Sequence, residues 1–476
     1  MTLEIDHGIL TGRRPDPTAP ADYIVVQADA SQREAYRRLR RDVFVREQGL
    51  FATTDHDRAD DDPRTVVLVA RSIAGEVLGG VRLHPAPHAS TEERDLGWWR
   101  GSRLAVRPDA RGATGIGAAL VRAACAWAES LGALRFDAVV QTQHHPLFTR
   151  LGWTTTGDVE LQGRPHVALS WPIARVQRLA EATKSPLGSL LAGLGAPQGG
   201  APAPGFWGDD GVPVPGSDLV AACDAILPTM VERDPEWAGW CAALVNLNDL
   251  AAMGATPVGL LDAVGARDAS FARRVLAGLR AASEAWGVPV LGGHTQLGVA
   301  PALSVTALGR TDRPVPGGGA RPGEEVRLTA DLGGGWRPGY TGLQWDSSSH
   351  RSPEDLRALG RIVADLRPAA AKDVSMSGLV GSTGMLAEAS GVRVVLDVDR
   401  VPTPAGATVG DWFTCFPGFA MVTTDCAGAQ PVELPRHVTS RACGETLEGA
   451  GVGLRWPDGV VTEAVRGPVT GMGEAA

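Results

Sequence analysis

The sequence predicts an α/β (α+β) protein with more than one domain. Its 476 residues exceed what a single hydrophobic core ordinarily organises. Strand-like runs such as TVVLVARS alternate with helix-like runs such as GAALVRAACAWAESLG. The uncharged stretch GAPQGGAPAPG at 195–205 has the composition of a flexible linker, and we place the main domain boundary there.

The overall composition is that of a globular protein with an acidic balance. Apolar residues make up 44% of the chain. The 45 basic and 54 acidic residues give a net charge of −9, which argues against general nucleic-acid binding. Only two of the basic residues are lysines, Lys184 and Lys372, and the others are arginines.

The cysteines and the apolar segments predict a protein of the reducing cytoplasm. None of the six cysteines forms a C-x-x-C pair, so a zinc site or a disulfide framework has no support. The N-terminal stretch lacks the apolar core of a signal peptide, and no run of about 20 apolar residues predicts a membrane span. We therefore expect a cytoplasmic protein without a membrane partner.

Residues 1–20 are expected to form a disordered tail, and strands and helices mix from 21 to 173. SQREAYRRLRRDVFVREQ begins a helix, because Ser31 and Glu34 have the spacing of a capping box. Two strands, TVVLVARS and EVLGGVRLHP, follow as a hairpin. The strand SRLAVRP, the helix GAALVRAACAWAESLG, the strand RFDAVVQ, the short helix HHPLFTRLGW and the strand ALSW complete the predicted order.

A glycine-rich turn, RPDARGATGIG, joins the strand SRLAVRP to the following helix. Glycines let a ligand approach the backbone closely, and the free N–H groups of a helix N-terminus suit a pyrophosphate. Arg111 adds a fork of donors. An ordinary tight turn is the alternative on this motif alone. The chain contains no G-x-x-x-x-G-K-[ST], which excludes a mononucleotide P-loop.

This order of elements, with LAVRPDARGATGIG and HHPLFTRLGW in it, resembles the GNAT N-acetyltransferase family over residues 21–173. The resemblance implies a mixed sheet, acetyl-CoA as cofactor and a small-molecule amine as substrate. It assigns Leu104, Ala105 and Val106 to the pantetheine arm. It assigns the turn to the pyrophosphate, through Arg111, Gly112, Ala113, Thr114, Gly115, Ile116 and Gly117.

Two features depart from the usual pattern of that family. Arg111 precedes Gly115 by four residues instead of three. Phe148 stands where many members have a tyrosine that protonates the leaving thiolate. Phenylalanine cannot donate a proton, so either another group or water supplies it, or this part acylates slowly or not at all.

A base near the amine helps a neutral amine to attack a thioester. Glu47 in VFVREQ is one candidate for this catalytic base. The acidic run TTDHDRADDD is another candidate, with a solvated acidic loop as the alternative interpretation. His144 and His145 lie at a predicted helix start, where they can serve as caps.

The stretch NLNDLAAMGA places Asn246, Asn248 and Asp249 after a run of small and apolar residues. DPEWAGWCAALVNLNDLAAMGATP predicts one helix of about 19 residues, which Asp234 and Pro235 begin and a glycine and a proline close. Asn246 and Asp249 share one face of it at i,i+3. Buried polar groups without partners cost roughly 1–3 kcal/mol each, so we expect these side chains to bind something.

Further acids lie in neighbouring segments of the second half. Asp209 and Asp210 occur in FWGDDGV, and Asp224 ends the predicted strand DLVAACDAIL. VPVLGGHTQ is another predicted strand, which runs into a glycine pair. Magnesium usually takes one or two carboxylates together with phosphate oxygens and water. Carboxylates from separate elements fit such a site, and independent surface acids are the alternative.

The order GDDGV, ACDAI, NLNDLAAMGATP, LGGHTQ and LSVTALG resembles the aminoimidazole-ribonucleotide (AIR) synthetase superfamily. AAAKDVSMSGLVG resembles its C-terminal D-[IV]-S-x-G-G motif. The resemblance implies that the GNAT mixed sheet is followed by a two-part AIR-synthase-like α/β domain. That domain would comprise an ATP-binding part at 206–313 and a C-terminal part at 314–476, after a helical segment and linker at 174–205. A homodimer through the N-terminal sheets of this domain is also implied.

The same resemblance implies ATP and Mg²⁺ as cofactors and assigns residues to them. The implied metal ligands are Asp209, Asp210, Asp224 and Asp249. The implied nucleotide-binding residues are Asn246, Gly293, His294 and Thr295. Asp373, beside Lys372 and Ser375, is expected to face the co-substrate as a catalytic residue. Ser377 stands where the first glycine of the motif is common.

The two halves together predict a bifunctional enzyme. One half would be an acyl-CoA-dependent N-acyltransferase, and the other would use Mg-ATP to phosphorylate an oxygen. The fused arrangement resembles a bacterial pair described with nitrogen starvation and encoded near nitrilases, which implies small nitrogen compounds. Acylation followed by ATP-driven dehydration or cyclisation is one hypothesis for their coupling. A non-catalytic sensor of acetyl-CoA and ATP, or a protein with one active half, are the alternatives.

Overall fold

The computed structural model describes these residues: 23–86, 94–111, 115–185, 187–192, 206, 208–426 and 433–473. The chain divides into two compact units. The N-terminal unit is Met1–Arg175 with Thr408–Gly410, and the C-terminal unit is Val176–Ala407 with Asp411–Ala476. The expected tail at 1–20 and the linker at 195–205 lie outside the described residues.

The described part of the N-terminal unit is a seven-stranded sheet with helices. Its strands are β1 (Tyr23–Gln27), β2 (Val66–Ser72), β3 (Val77–Pro85), β4 (Trp98–Val106), β5 (Arg135–Gln141), β6 (Thr154–Leu161) and β7 (Arg164–Trp171). Its helices are α1 (Ala30–Arg40), α2 (Arg58–Asp61), α3 (Ile116–Ser130) and α4 (His145–Arg150), with a π-helix at Arg41–Glu47 and 3-10 turns at Pro108–Ala110 and Thr142–His144.

Helix α1 begins with a capping box, but not with the predicted one. The side chain of Asp29 accepts a hydrogen bond from the N–H of Gln32, and the Gln32 side chain accepts one from the N–H of Asp29. Ser31 already lies in the helix, and its hydroxyl donates to Asp29. The predicted box on Ser31 and Glu34 is therefore wrong by two residues.

The sheet of this unit opens between two neighbouring strands. Its order is β1-β2-β3-β4-β5-β7-β6, and β4 and β5 are its parallel pair. They pair only from Trp98 to Gly101 on β4, so the remaining residues of β4 have no partner on β5. Helix α3 packs on the sheet through buried side chains such as Leu120. The gap between the strands is therefore free to hold a ligand.

The described part of the C-terminal unit contains two larger sheets and one small one. Its strands are β8 (Val212–Pro213), β9 (Leu219–Ala225), β10 (Thr256–Ala266), β11 (Val290–Leu297), β12 (Ala302–Arg310), β13 (Glu325–Asp331), β14 (Gly335–Trp336), β15 (Trp345–Asp346), β16 (Ala370–Asp373), β17 (Arg393–Asp397), β18 (Ala420–Asp425), β19 (Val438–Leu447), β20 (Val452–Arg455) and β21 (Val461–Val465). Its helices are α5 (Arg175–Thr183), α6 (Leu187–Leu191), α7 (Pro228–Arg233), α8 (Pro235–Ala252), α9 (Ala269–Trp286), α10 (Pro353–Leu359), α11 (Ile362–Leu366), α12 (Gly378–Ser390) and α13 (Val409–Trp412).

Helix α8 carries the polar stretch and packs on the first sheet. The strand order of this sheet is β11-β10-β12-β9-β8. The helix begins at Pro235 and is followed by Gly254 with a φ of +64°, as the sequence predicts. Asp234 is its N-cap but forms no side-chain capping bond. Helix α9 packs against α8, and the two share one hydrophobic core with β9, β10 and β12. The helix pair therefore fixes the position of Asp249.

The second sheet carries the motif that follows Lys372. Its order is β16-β18-β13-β19-β17-β20-β21, with β17 and β20 parallel and the other pairs antiparallel. Strand β16 ends at Asp373, and helix α12 begins five residues later at Gly378, whose φ is +71°. Asp373 and the start of α12 are thereby held at one edge of this sheet.

We predict that Gly278→Ala lowers the Tm of the protein. A Cβ atom at Gly278 would lie 1.8 Å from the carbonyl oxygen of Glu236, so α8 and α9 would have to separate. Overpacking of this kind costs about 1–3 kcal/mol, whereas an exposed helix would gain about 1 kcal/mol from the same change. Calorimetry of both proteins shows whether the substitution lowers or raises the Tm.

The control is Gly467→Ala, where an added Cβ meets no atom within 4 Å. Its Tm should stay close to that of the unchanged protein. A Gly278→Ala protein as stable as this control would contradict the close packing of α8 on α9.

Candidate functional site

Acidic side chains from separate elements of the C-terminal unit meet in one cavity of about 400 Å³. Asp224 comes from β9, Asp249 from α8 and Asp373 from the end of β16, and Asp209 and Asp210 precede β8. The sequence resemblance named all five, and the structure brings all five to the lining of this cavity.

Three of these carboxylates are close enough to share one cation. One oxygen each of Asp210, Asp249 and Asp373 lie within 4.8 Å of one another. Asp249 and Asp373 are buried. The Oδ2 atom of Asp373 is also buried and has no hydrogen-bond partner among the described residues. An unpartnered buried carboxylate oxygen in an all-oxygen donor set fits a hard divalent cation such as Mg²⁺.

Lys372 holds the two aspartates that precede β8. Its Nζ lies 2.5 Å from Asp210 Oδ1 and 3.4 Å from Asp209 Oδ1. Asp210 Oδ2 accepts a hydrogen bond of 2.9 Å from the N–H of Asp373. Asp209 accepts one of 2.6 Å from the N–H of Gly317. Both aspartates are therefore held by protein groups, and the bond to the N–H of Asp373 places Asp210 next to Asp373.

Crowding and burial make the carboxylates of this cavity costly to ionise. Burial raises the pKa of Asp249 well above its usual range, and the charges of Asp373, Asp224 and Asp210 raise it further. Burial and Asp210 likewise raise the pKa of Asp373. Burial also raises the pKa of Asp209, to about 6, although Lys372 opposes the shift. A bound cation would remove this cost.

Asn246 has a structural position, and it does not line the cavity. Its Nδ2 donates to the carbonyl oxygen of Ala242, one turn earlier, at 2.8 Å. Its Oδ1 accepts from the N–H of Asp224 at 3.1 Å. Each polar atom thus bonds one backbone group, and Asn246 positions Asp224. Its assignment to the nucleotide phosphates stays a prediction. Asn248 likewise donates to the carbonyl oxygen of Gly418, at 2.7 Å.

The structure does not bring Gly293, His294 and Thr295 to the acidic cavity. They lie on β11, the edge strand of the first sheet, and all three are exposed. Strand β11 lies at one edge of this sheet, next to β10, whereas the cavity lies at β8 and β9, at the opposite edge. Within this chain, the three residues are therefore separate from the carboxylate cluster.

Both lysines of the chain line the acidic cavity. Lys184 follows α5, and its charge favours the ionised forms of Asp224 and Asp373. The Gly188 N–H bonds to the Thr470 carbonyl oxygen at 2.8 Å, which holds this segment against the C-terminal tail. Sequence reasoning missed Lys184 as a site residue, although the scarcity of lysine was a usable signal.

The N-terminal unit contains a second cavity, of about 510 Å³, at the opening between β4 and β5. Leu104, Ala105 and Val106 line it from β4, and Arg111 and Gly115–Gly117 line it from the turn and the start of α3. These are the described members of the sets that the resemblance assigned to pantetheine and pyrophosphate. Gly112, Ala113 and Thr114 lie outside the described residues.

Glu47 lines this cavity, but its carboxylate is already bound. Its two oxygens accept hydrogen bonds of 2.6 and 2.7 Å from Nη1 and Nη2 of Arg111. These bonds lower the pKa of Glu47. A carboxylate with a lowered pKa accepts a proton less readily, so the prediction of Glu47 as the catalytic base is not supported.

The acidic run TTDHDRADDD forms an ion-pair network and not a solvated loop. Arg40 Nε lies 2.6 Å from Asp55, and its Nη1 lies 2.5 Å from Asp60. Arg82 bonds Asp57 through both terminal nitrogens, at 2.7 and 2.9 Å. The side chains of Arg40, Asp55, Asp60 and Arg82 are at most 7% exposed. Asp55, Asp57 and Asp60 are therefore held by arginines, whereas Asp61 is exposed and lies 3.3 Å from the His56 ring.

Two further residues of this cavity bear on acid–base chemistry. Phe148 is buried against Trp153 and lines the cavity, where it offers no proton. His144 also lines it, and burial together with the charge of Arg111 lowers its pKa. His144 forms no side-chain cap on α4, contrary to the capping interpretation. His144 and His166 are thus the two described titratable side chains of this lining that are not held in an ion pair.

Comparisons with known proteins agree with this division of the chain. The acetyltransferase (GNAT) family matches residues 31–153, and the N-terminal domain of AIR synthase related proteins matches residues 208–311. An uncharacterised protein of Synechocystis sp. is 33% identical over 222 residues, which cover 45% of this chain and 69% of that protein.

Two relatives with printed activities match the same half. Selenide, water dikinase from Myxococcus xanthus is 30% identical over 240 residues, which cover 47% of this chain and 68% of that protein. Thiamine-monophosphate kinase from Caulobacter vibrioides is 31% identical over 213 residues, which cover 40% of this chain and 59% of that protein.

The fold and the two cavities define a protein that joins an acyltransferase-type domain to a domain of ATP-dependent, kinase-type enzymes. The chain belongs to the family of AIR synthase related proteins, and its first part is an acetyltransferase (GNAT) domain. No helix among the described residues has both the length and the apolar character needed to cross a membrane.

We predict that Asp249→Asn raises the Tm of the metal-free protein and abolishes its stabilisation by Mg²⁺. The folded-state pKa of Asp249 is raised, so the folded protein keeps this proton to a higher pH than the unfolded chain does. Stability is consequently lost as pH rises above about 4, the unfolded pKa. The Tm of the variant should exceed that of the unchanged protein only slightly at pH 4. Near neutral pH the difference should be at least about 2 °C, which corresponds to roughly 1 kcal/mol.

Asp312→Asn, which removes an exposed acid of the same unit, is the control and should change neither property. A lower Tm for Asp249→Asn at neutral pH in chelator would show that the carboxylates do not repel one another.

Proposed function

We propose that this chain is a bifunctional small-molecule enzyme, with an acyl-CoA-dependent N-acyltransferase half and a Mg-ATP-dependent phosphoryl-transferring half. The observation that carries the second assignment is the cluster of Asp210, Asp249 and Asp373 around one point, with an unpartnered oxygen on Asp373. The opening of the sheet at β4 and β5, next to the helix start at Ile116, supports the first.

In the proposed phosphoryl-transfer site, the three carboxylates hold Mg²⁺ together with phosphate oxygens. The bound ion would offset phosphate charge and polarise the phosphoryl group. Lys372 binds and orients Asp210. Its own pKa is raised because Asp210 and Asp209 outweigh the opposing effect of burial. Lys184 supplies a cation that is free to bind an anionic oxygen, since no described residue forms an ion pair with it.

We predict that Lys184→Ala weakens binding of Mg-ATP at least tenfold. A charge-assisted hydrogen bond to phosphate contributes about 1.5–3 kcal/mol, and a tenfold change is about 1.4 kcal/mol. The measurement is the rise in Tm of the full chain during titration with ATP at fixed Mg²⁺.

Arg273→Ala removes one exposed positive charge from α9, away from the cavity, and should leave the titration unchanged. Lys184→Arg should recover part of the affinity. Equal titrations for Lys184→Ala and Arg273→Ala would exclude Lys184 from the site, and the absence of any ATP effect on the unchanged protein would overturn the phosphoryl-transfer assignment.

In the proposed acyltransferase site, the end of β4 presents its backbone to the pantetheine arm of acetyl-CoA. The N-terminus of α3 and Arg111 bind the pyrophosphate. The Arg111 guanidinium is partly exposed, and each of its terminal nitrogens carries a second N–H, so it can bind phosphate while it keeps both hydrogen bonds to Glu47.

We predict that Arg111→Ala lowers the affinity for coenzyme A about tenfold, since it removes a charge-assisted contact. Isothermal titration of the full chain with coenzyme A measures the change. Arg107→Ala is the matched control, because Arg107 pairs with Glu76 and Asp109 and does not line the cavity. An Arg111→Ala protein that binds coenzyme A as the control does would contradict the assignment.

The order of the two proposed reactions and the assembly state remain part of the proposal. An N-acyl product carries an amide oxygen that ATP can activate, so dehydration or cyclisation after acylation is chemically consistent. Its place in the metabolism of nitrogen compounds is supported by the resemblance alone.

A homodimer through the first sheet of the C-terminal unit is supported by exposed apolar side chains on its edge, such as Leu291 and Leu297 on β11.

A further inference from the structure

One part of the cavity of the N-terminal unit is lined by carboxamide side chains. Gln48 and Gln141 belong to the lining, together with apolar side chains such as Phe44, Phe51 and Leu161. None of these residues belongs to the strand or the turn assigned to coenzyme A. An acyl acceptor would therefore contact these residues.

Three glutamines of this lining are bonded in series. Gln141 Nε2 donates to Gln48 Oε1 at 2.8 Å, and Gln143 Nε2 donates to Gln141 Oε1 at 3.0 Å. Gln143 Nε2 also lies 3.3 Å from Nε2 of His144. The amide oxygens and N–H groups thus fix one another without any net charge. They can accept and donate hydrogen bonds, but they cannot neutralise a cation.

No free carboxylate faces the acceptor among the described residues of the lining. Glu47 is the one carboxylate there, and Arg111 binds both of its oxygens. Arg103 also lines the cavity, and Asp55 and Asp57, which bond it, are held by arginines as well. An ammonium in this cavity would find neutral acceptors, the amide oxygens and the ring of His144, but no free carboxylate among the described lining residues to balance its charge.

We propose that the acyl acceptor is a small compound whose reacting nitrogen is uncharged at neutral pH, such as an arylamine, a hydroxylamine or a hydrazine. Alkylammonium compounds such as lysine side chains and polyamines are excluded. This proposal rests on the acyltransferase function proposed above, and it names the substrate class of the same site.

The chemistry of such an acceptor agrees with the side chains present. The nitrogen lone pair attacks the thioester carbonyl carbon, the C–N bond forms, and the C–S bond breaks. The proton that the nitrogen loses goes to the leaving sulfur, so coenzyme A departs as its thiol and the charges balance. No base is needed to deprotonate an ammonium beforehand, and no tyrosine is needed to supply the final proton, which is consistent with the bound Glu47 and with Phe148.

The test compares two amines of the same ring size, aniline, which is neutral at neutral pH, and cyclohexylamine, which is an ammonium. Release of coenzyme A from acetyl-CoA is measured with the full chain, and each rate is corrected for the reaction without enzyme. We expect a kcat/KM at least tenfold higher for aniline. In Gln141→Glu, which places a carboxylate in the lining, the ratio should fall at least tenfold through a lower KM for cyclohexylamine.

Thr142→Glu is the matched control. Thr142 is adjacent to Gln141, is exposed and does not line the cavity, so the same charge there should leave the ratio unchanged. Three results would overturn the inference while the transferase function stands: cyclohexylamine used as well as aniline, the same ratio in Gln141→Glu as in Thr142→Glu, or neither amine acylated by a protein whose Tm coenzyme A raises. If coenzyme A causes no shift in Tm, the transferase function itself fails.

Discussion

The repulsion among buried carboxylates is the constraint on which the C-terminal unit depends. Asp210, Asp249 and Asp373 lie close enough to bind one cation, and Lys372 compensates only part of their charge. Removing ionised groups from water costs more than a single partner returns. The helix pair α8 and α9 and the edge of the second sheet must therefore hold these acids together against their repulsion. The close contact of Gly239 and Gly278 with the facing backbones provides that rigidity.

The two units use positive charge in different ways. In the N-terminal unit, guanidinium groups of Arg40 and Arg82 bind aspartates through fixed, forked hydrogen bonds, and the network is closed. In the C-terminal unit, the two lysines of the chain meet at the acidic cavity. A lysine presents a compact charge on a flexible stem, so it can follow an anion that moves during a reaction. Lys372 is itself paired with Asp209 and Asp210, so Lys184 is the lysine without an ion pair among the described residues.

Much of the fold could be predicted because its signals are local. The start of α8 at Pro235, its end before Gly254 and the strand RFDAVVQ follow from caps, glycines and alternation within short windows. Strand β6 was not predicted, since Thr154–Leu161 is mostly polar and fully exposed, whereas the apolar run YIVVQ of β1 carries a strand signal that was not used. Asp249 could be named from its place in an apolar helix. The roles of Asn246 and of Asp55 could not, because their partners lie 22 and 15 residues away in sequence.

The position of Lys184 shows that composition alone does not locate a functional boundary. The sequence places 174–205 between two domains, yet Val176 and the following residues belong to the C-terminal unit. Gln177 accepts a hydrogen bond from the N–H of Arg466, and Gly188 donates to Thr470. Glu388 on α12 accepts bonds from the N–H groups of Val469 and Thr470, which connects the same tail to the helix behind Asp373. The segment that reads as a connector thereby supplies a cation to the carboxylate cavity, and separating the halves at 195–205 would remove it from the unit that it serves.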